Sequence, residues 1–154
     1  MQQLEFYWRL DADSMLLENV AADPFDVMKK NGRVYGYNVI AFEDAAVAQG
    51  LFDAVKPHFA RGAAARTLGV HVNATDWNKS MFYTNFEISR VDFWRSASYA
   101  RFFQDVDRAG GIYLRRWGDA PIHFLAVAAL LKDEQLEAFS IPYWHQYYVH
   151  LNRG

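Results

Sequence analysis

Residues 4–13 alternate, with Leu4, Phe6, Trp8 and Leu10 pointing one way and Glu5, Tyr7, Arg9, Asp11 and Asp13 the other. A period of two marks a half-buried strand, so this segment predicts one. Asp23-Pro24 opens a short helical or turn segment carrying Phe25, Val27 and Met28, and Asn31-Gly32 is a turn. Residues 34–42 are rich in Val, Ile and aromatics and predict a second strand. From 44 to 59 the spacing turns helical, with Val47, Leu51, Phe52 and Val55 on one face and Pro57 disturbing the end. Residues 61–66 are a small-residue connector, 68–79 read as loop and 81–88 as a strand. Ser96 suits the N-cap of a helix with Tyr99, Phe102, Phe103 and Val106 on one stripe, closed by Gly110-Gly111. Asp119 is expected to cap the next helix, with Pro121 in its first turn and Leu125, Ala126, Ala129 and Leu130 along it. Residues 136–140 predict a short strand and 141–151 an extended aromatic tail. Strands alternate with helices, so the fold class is α/β. No repeat, linker or low-complexity stretch interrupts the chain, which predicts one domain over residues 1–154.

Composition sharpens this picture. The chain is 52% apolar, which excludes disorder, and 17% aromatic, enough for a core and for flat walls around a ligand. A formal net charge of −2, with Arg115-Arg116 as the longest basic cluster, leaves no footprint for nucleic acid or an anionic membrane. There is no cysteine, so neither disulfides nor thiolate metal sites hold the fold. Met1-Gln2-Gln3-Leu4-Glu5 does not read as a signal peptide, and no apolar run approaches a membrane span.

Residues with chemistry to offer gather at the ends of the predicted elements. Asp11 and Asp13 put two carboxylates on one face at a strand end, where they can hold a divalent cation; on spacing alone, two solvated acids are the commoner meaning. Glu87 follows an apolar strand, and spacing alone favours an ion pair with Arg90 or Arg95. Asp119, before Ala-Pro, is worth about 1 kcal/mol as a cap, and a helix start also gathers polar ligands. Beside it, the fork of Arg116 suits phosphate oxygens and Trp117 offers a stacking face. The imidazole of His145 suits a divalent transition metal, whereas His58, His71 and His123 are structural by default. Asn73-Ala74-Thr75 and Asn78-Lys79-Ser80 both match the N-glycosylation acceptor pattern, which matters only in the secretory pathway.

Between 85 and 123, polar groups sit among large aromatics and tight glycine turns, a mixture that fits a cleft for a polar ligand. The pieces are Asn85-Phe86-Glu87-Ile88, Asp92-Phe93-Trp94-Arg95-Ser96, Gly110-Gly111 and Arg116-Trp117-Gly118-Asp119-Ala120-Pro121-Ile122-His123. Their order and spacing resemble the fungal-type α-1,2-mannosyltransferases of glycosyltransferase family 15. The likeness extends more weakly from Tyr7-Trp8-Arg9-Leu10-Asp11-Ala12-Asp13, through Asp23-Pro24-Phe25, to Ile141-Pro142-Tyr143-Trp144-His145. The resemblance implies a mixed sheet of the glycosyltransferase A type flanked by helices. It implies transfer of α-mannose from GDP-mannose to a mannosyl acceptor, with retention and with Mn²⁺. It makes Asp11 and His145 metal ligands, Glu87 the group that attacks or stabilises the sugar carbon, and Arg116, Trp117 and Asp119 donor contacts.

The sequence also departs from the family. Glu18 and Ser80 stand where cysteines are expected, Asn19 and Ala21 where acids are, and Arg115 where an acid precedes Arg-Trp-Gly-Asp. The lack of cysteine points to a divergent member or a reducing compartment; the family's own setting is the Golgi lumen. The family's nucleotide-binding strands would lie N-terminal to the part represented here. Two readings stay open: a transferase, and a non-catalytic carbohydrate-binding remnant or truncated paralogue.

Overall fold

A computed structural model describes residues 4–60, 62–146 and 148–150. In chain order the elements are β1 (Phe6–Leu10), β2 (Ser14–Leu16), α1 (Pro24–Lys30), β3 (Tyr35–Tyr37), β4 (Ile40–Phe42), α2 (Leu51–Val55), β5 (Ser80–Phe82), β6 (Phe86–Arg90), α3 (Val91–Trp94), α4 (Ala97–Ala109), α5 (Gly111–Leu114), α6 (Asp119–Leu130), β7 (Leu136–Ala138), β8 (Tyr143–His145) and β9 (Tyr148–His150). The main sheet has the order β1-β6-β3-β7. Its pairs are antiparallel except β3 with β7, so the sheet is mixed, as expected. A three-stranded sheet β2-β8-β9 and a two-stranded sheet β4-β5 flank it.

Register decides which side chains share a face. Arg9 and Tyr37 both pair with Glu87, and Tyr7 and Tyr35 both pair with Ser89. Directly paired residues point to the same side of a sheet, so these polar and aromatic groups line one face. That face meets the larger core, built on Phe82, Phe102, Phe124, Leu125 and Val127. The opposite face carries Trp8, Phe86 and Ile88, which pack with Met28, Phe139 and Tyr143 as a second core. Gly36 lies on that side. A Cβ there would sit 2.6 Å from Phe139 and 3.1 Å from Met28, so close packing excludes a larger residue.

Several predicted strands are broken by a turn or by a hydrogen bond to another segment. The strand expected over 4–13 ends at Leu10; Ser14 N–H donates to the Asp11 carbonyl, and the chain turns into β2 and a different sheet. The strand expected over 34–42 divides into β3 and β4. Asn38 sits at the break, its amide exchanging two hydrogen bonds with the backbone of Ile141 (2.9 and 3.0 Å). The strand expected over 81–88 likewise divides at a turn in which Phe86 N–H donates to the Tyr83 carbonyl.

The helix expected over 44–59 is regular only in α2, followed by a tight 3₁₀ turn at Lys56–Phe59. Asp44 turns its carboxylate onto Ala46 N–H, and Gly50 is left-handed at φ 80°, which stops helix propagation before Leu51. In the segment read as loop, Arg66–Val70 forms a second 3₁₀ turn. Asp23 and Ser96 do cap α1 and α4, and Gly110 closes α4 at φ 72°. The aromatic tail is ordered as the β8–β9 hairpin, while Leu151 lies outside the described residues. Among the described residues no helix is long and apolar enough to cross a membrane.

Candidate active site

The polar face of the main sheet converges on Glu87. Its side chain is 1% exposed and sits mid-strand in β6. Both carboxylate oxygens are engaged. Oε1 accepts from the Tyr7 hydroxyl. Oε2 accepts from the Tyr35 hydroxyl at 2.7 Å and pairs with His123 Nδ1 at 2.7 Å. The donors come from β1, β3 and α6, so only the assembled fold builds this site. Burial pushes the carboxyl up, but the bonds from His123, Tyr7 and Tyr35 outweigh it and hold Glu87 below the usual carboxylate range. Conversely, burial and then the charge of Glu87 raise the Tyr35 and Tyr7 phenols. The same causes push Tyr99 up to about 12.

The ion pair with Arg90 or Arg95 that spacing favours for Glu87 does not form. Arg90 turns to Asp92, while Glu87 pairs with His123. His123, structural by default on sequence grounds, is a direct partner of the central carboxylate. It lies four residues after Asp119, one helical turn on, and ends the Asp-Ala-Pro-Ile-His run. That spacing was the available signal.

Asp119 is not the helix cap. Gly118 occupies the cap position without a side-chain bond, and Asp119 is the first helical residue. Its carboxylate is therefore free to accept from Arg9 and from Thr84 Oγ1 at 3.2 Å. Burial raises the Asp119 carboxyl, but Arg9 prevails and lowers it. Arg9 also donates to Asp11 at 3.3 Å. Arg9 thus links the α6 start to the turn that carries Asp11, and both adjoin the face of Glu87.

The turn after β1 and strand β8 bring Asp11, Asp13 and His145 together. One ligand atom from each lies within 4.8 Å of the others. His145 Nε2 is 3.1 Å from Asp13 and 3.7 Å from Asp11. The β2–β8 pairing sets this, since Ser14 lies opposite His145. On its other side His145 Nδ1 meets the Tyr83 hydroxyl at 3.3 Å, a partner that fixes the ring's orientation. Two carboxylates and an imidazole form a donor set that could hold a divalent cation. Asp13 completes the cluster, although the family pattern pointed only to Asp11 and His145.

The other two expected donor contacts fall differently. Arg116 is exposed and left-handed at φ 61°, and its guanidinium has no hydrogen bond or ion pair among the described residues. Trp117 is not a stacking platform on an open face. It is 6% exposed, donates its indole N–H to the Gln49 carbonyl at 3.0 Å, and lies against Gly111. It braces the turn before α6 from behind.

The chain as a whole has relatives among known proteins. The family described as glycolipid 2-alpha-mannosyltransferase matches residues 1–153. The chain belongs to this mannosyltransferase family. Among its relatives, the O-glycoside alpha-1,2-mannosyltransferase omh1 of Schizosaccharomyces pombe is 31% identical, over 94% of this chain and 39% of its own length. The glycolipid 2-alpha-mannosyltransferase of Saccharomyces cerevisiae is 32% identical over 96% of this chain and 35% of its own length. This mannosyltransferase-family chain thus spans less than half the length of these curated relatives. Two solved structures share its fold. The mannosyltransferase Ktr4p of S. cerevisiae in complex with GDP has a TM-score of 0.81 at 26% identity, over 95% of this chain and 41% of that one. Core-mannan synthase A of Aspergillus fumigatus in its Mn/GDP form has a TM-score of 0.79 at 27% identity, over 95% and 43%.

Proposed function

We propose that this protein transfers α-mannose from GDP-mannose to a mannosyl acceptor with retention of configuration, in the Golgi lumen where the family works. The observation that carries the reading is the adjacency of two sites on one framework. A cluster of two carboxylates and an imidazole adjoins, through Arg9, the sheet face that holds Glu87. Two solved relatives with this fold were obtained with GDP, one of them in a Mn/GDP form.

Asp11, Asp13 and His145 would hold Mn²⁺, which neutralises a diphosphate leaving group when bound. Asp119, already an acceptor at the start of α6, would take hydrogen bonds from sugar hydroxyls. Arg116, with a guanidinium uncommitted among the described residues, suits a phosphate oxygen. Glu87 supplies a fixed negative charge beneath the reacting carbon. Three donors spread that charge and weaken its oxygens as nucleophiles, which suits stabilisation of a developing oxocarbenium ion better than direct attack. A group that acts only in the transition state shows itself in turnover. Glu87→Gln is expected to lower kcat at least about tenfold while the donor KM changes little. Unchanged turnover would remove Glu87 from the chemistry.

The metal reading has its own test. A ligand that binds only the native state at about a hundredfold its Kd stabilises by about 2.7 kcal/mol. Mn²⁺ is therefore expected to raise the melting temperature of the parent protein and to leave Asp11→Ala unmoved. An equal rise in both would take Asp11 out of the site.

A further inference from the structure

Burial alone cannot keep Glu87 charged, because desolvation opposes the ionised form. Its donors must therefore be held in place themselves. Of the three, His123 is the one donor carried by a helix, and an aromatic ring backs it. The Trp94 ring lies 4.3 Å from the imidazole at an interplanar angle of 31°. Trp94 in turn meets Tyr99 edge-on at 4.8 Å and Tyr35 edge-on at 6.1 Å. This aromatic stack backs one side of the imidazole. An ionised carboxylate offers only lone pairs, so Nδ1 must carry a proton and donate it to Oε2. Tyr35, fully buried, donates to the same oxygen. Oε1 is left to Tyr7, which comes from the edge strand β1 and is only partly buried. Next along that face stands Arg9, between Asp11 and Asp119.

We propose that His123 is a positioning residue for Glu87: it fixes Oε2 so that Oε1, covered by Tyr7 alone, is the oxygen presented to a sugar bound beside Arg9 and Asp119. This rests on the transferase reading above. His123 touches Glu87 and not the ligand, so its loss should be felt in the chemical step rather than in donor capture.

The test compares the parent protein with His123→Phe and His123→Asn. Phe keeps a flat ring against Trp94 but has no donor. Asn places an amide N–H near the position of Nδ1. His123→Phe is expected to lower kcat for mannose transfer from GDP-mannose at least about tenfold, with KM within about threefold, and His123→Asn to recover most of the loss. Turnover of His123→Phe within about twofold of the parent would overturn the proposal. So would a folded His123→Asn protein as slow as the Phe variant.

Nitrogen-15 NMR of the His123 ring, assigned by its disappearance in His123→Asn, needs neither turnover nor a folded Phe variant. A proton on Nδ1 is expected, and an imidazole protonated on Nε2 alone would overturn the proposal. A parent protein that transfers no mannose would count against the transferase reading, and the ring's protonation would then decide the positioning claim by itself.

Discussion

At Glu87, three donors win against one desolvation penalty, and that balance has a pH signature. A carboxyl held below its ordinary range in the native state contributes stability that is fully present above the unfolded value, about 4.3 for Glu. That contribution is lost as pH falls through the lower, folded value. Chemical denaturation between pH 7 and pH 3 should therefore show stability falling on acidification. Glu87→Gln, which cannot ionise, should start about 1–3 kcal/mol lower and lose less over the same range. An identical acid limb in the two proteins would mean that Glu87 is not the anion described here. Glu87 was legible as a candidate from its motif, but its partners were not. Tyr7, Tyr35 and His123 lie 80, 52 and 36 positions away, beyond the reach of any local spacing rule. The nearby Arg90, which spacing favours, has a closer acid in Asp92. For the same reason the meeting of Asp13 with His145 was not legible, although the pair of carboxylates was. Only the β2–β8 pairing brings His145 to that pair.

Among the elements, those with strong terminal signals were legible. Ser96 Oγ accepts from Tyr99 N–H at 3.1 Å and starts α4 where the sequence placed it. Ser96→Ala should cost about 1 kcal/mol, read as a lower thermal midpoint. Strand breaks were not legible, because the residues that cause them look like ordinary members of a β run. Asn38 breaks its strand by clasping Ile141 from a distant segment, which no window around Asn38 contains. The start of α6 was misread by one residue, and that residue matters: with Gly118 at the cap, Asp119 is released to Arg9 and Thr84. The turn before α6 also depends on a packing contact invisible in sequence. A Cβ at Gly111 would lie 2.1 Å from the Trp117 ring. Gly111→Ala should destabilise the protein by about 1–3 kcal/mol, and an unchanged unfolding midpoint would show that Trp117 is not wedged there.

For the molecule as a whole, the α/β class followed from alternating elements, while the division of labour between the two sheet faces needed the register. One face packs as a second core; the other carries Tyr7, Arg9, Tyr35 and Glu87. The high aromatic share proved largely architectural. Trp117, the residue singled out for stacking, belongs to the main core, and Trp94 supports an imidazole. In the proposed reading, Arg9, Asp11, Asp13 and Asp119 would meet a ligand beside Glu87. The most direct measurement mixes the protein with GDP-mannose, methyl α-mannoside and Mn²⁺, and follows the anomeric region by proton NMR. A new α-linked mannosyl signal is predicted, dependent on Mn²⁺ and absent in Asp11→Ala. A β-linked product, or binding of the mannoside with no transfer under these conditions, would contradict a retaining mannosyltransferase and leave a carbohydrate-binding protein in its place.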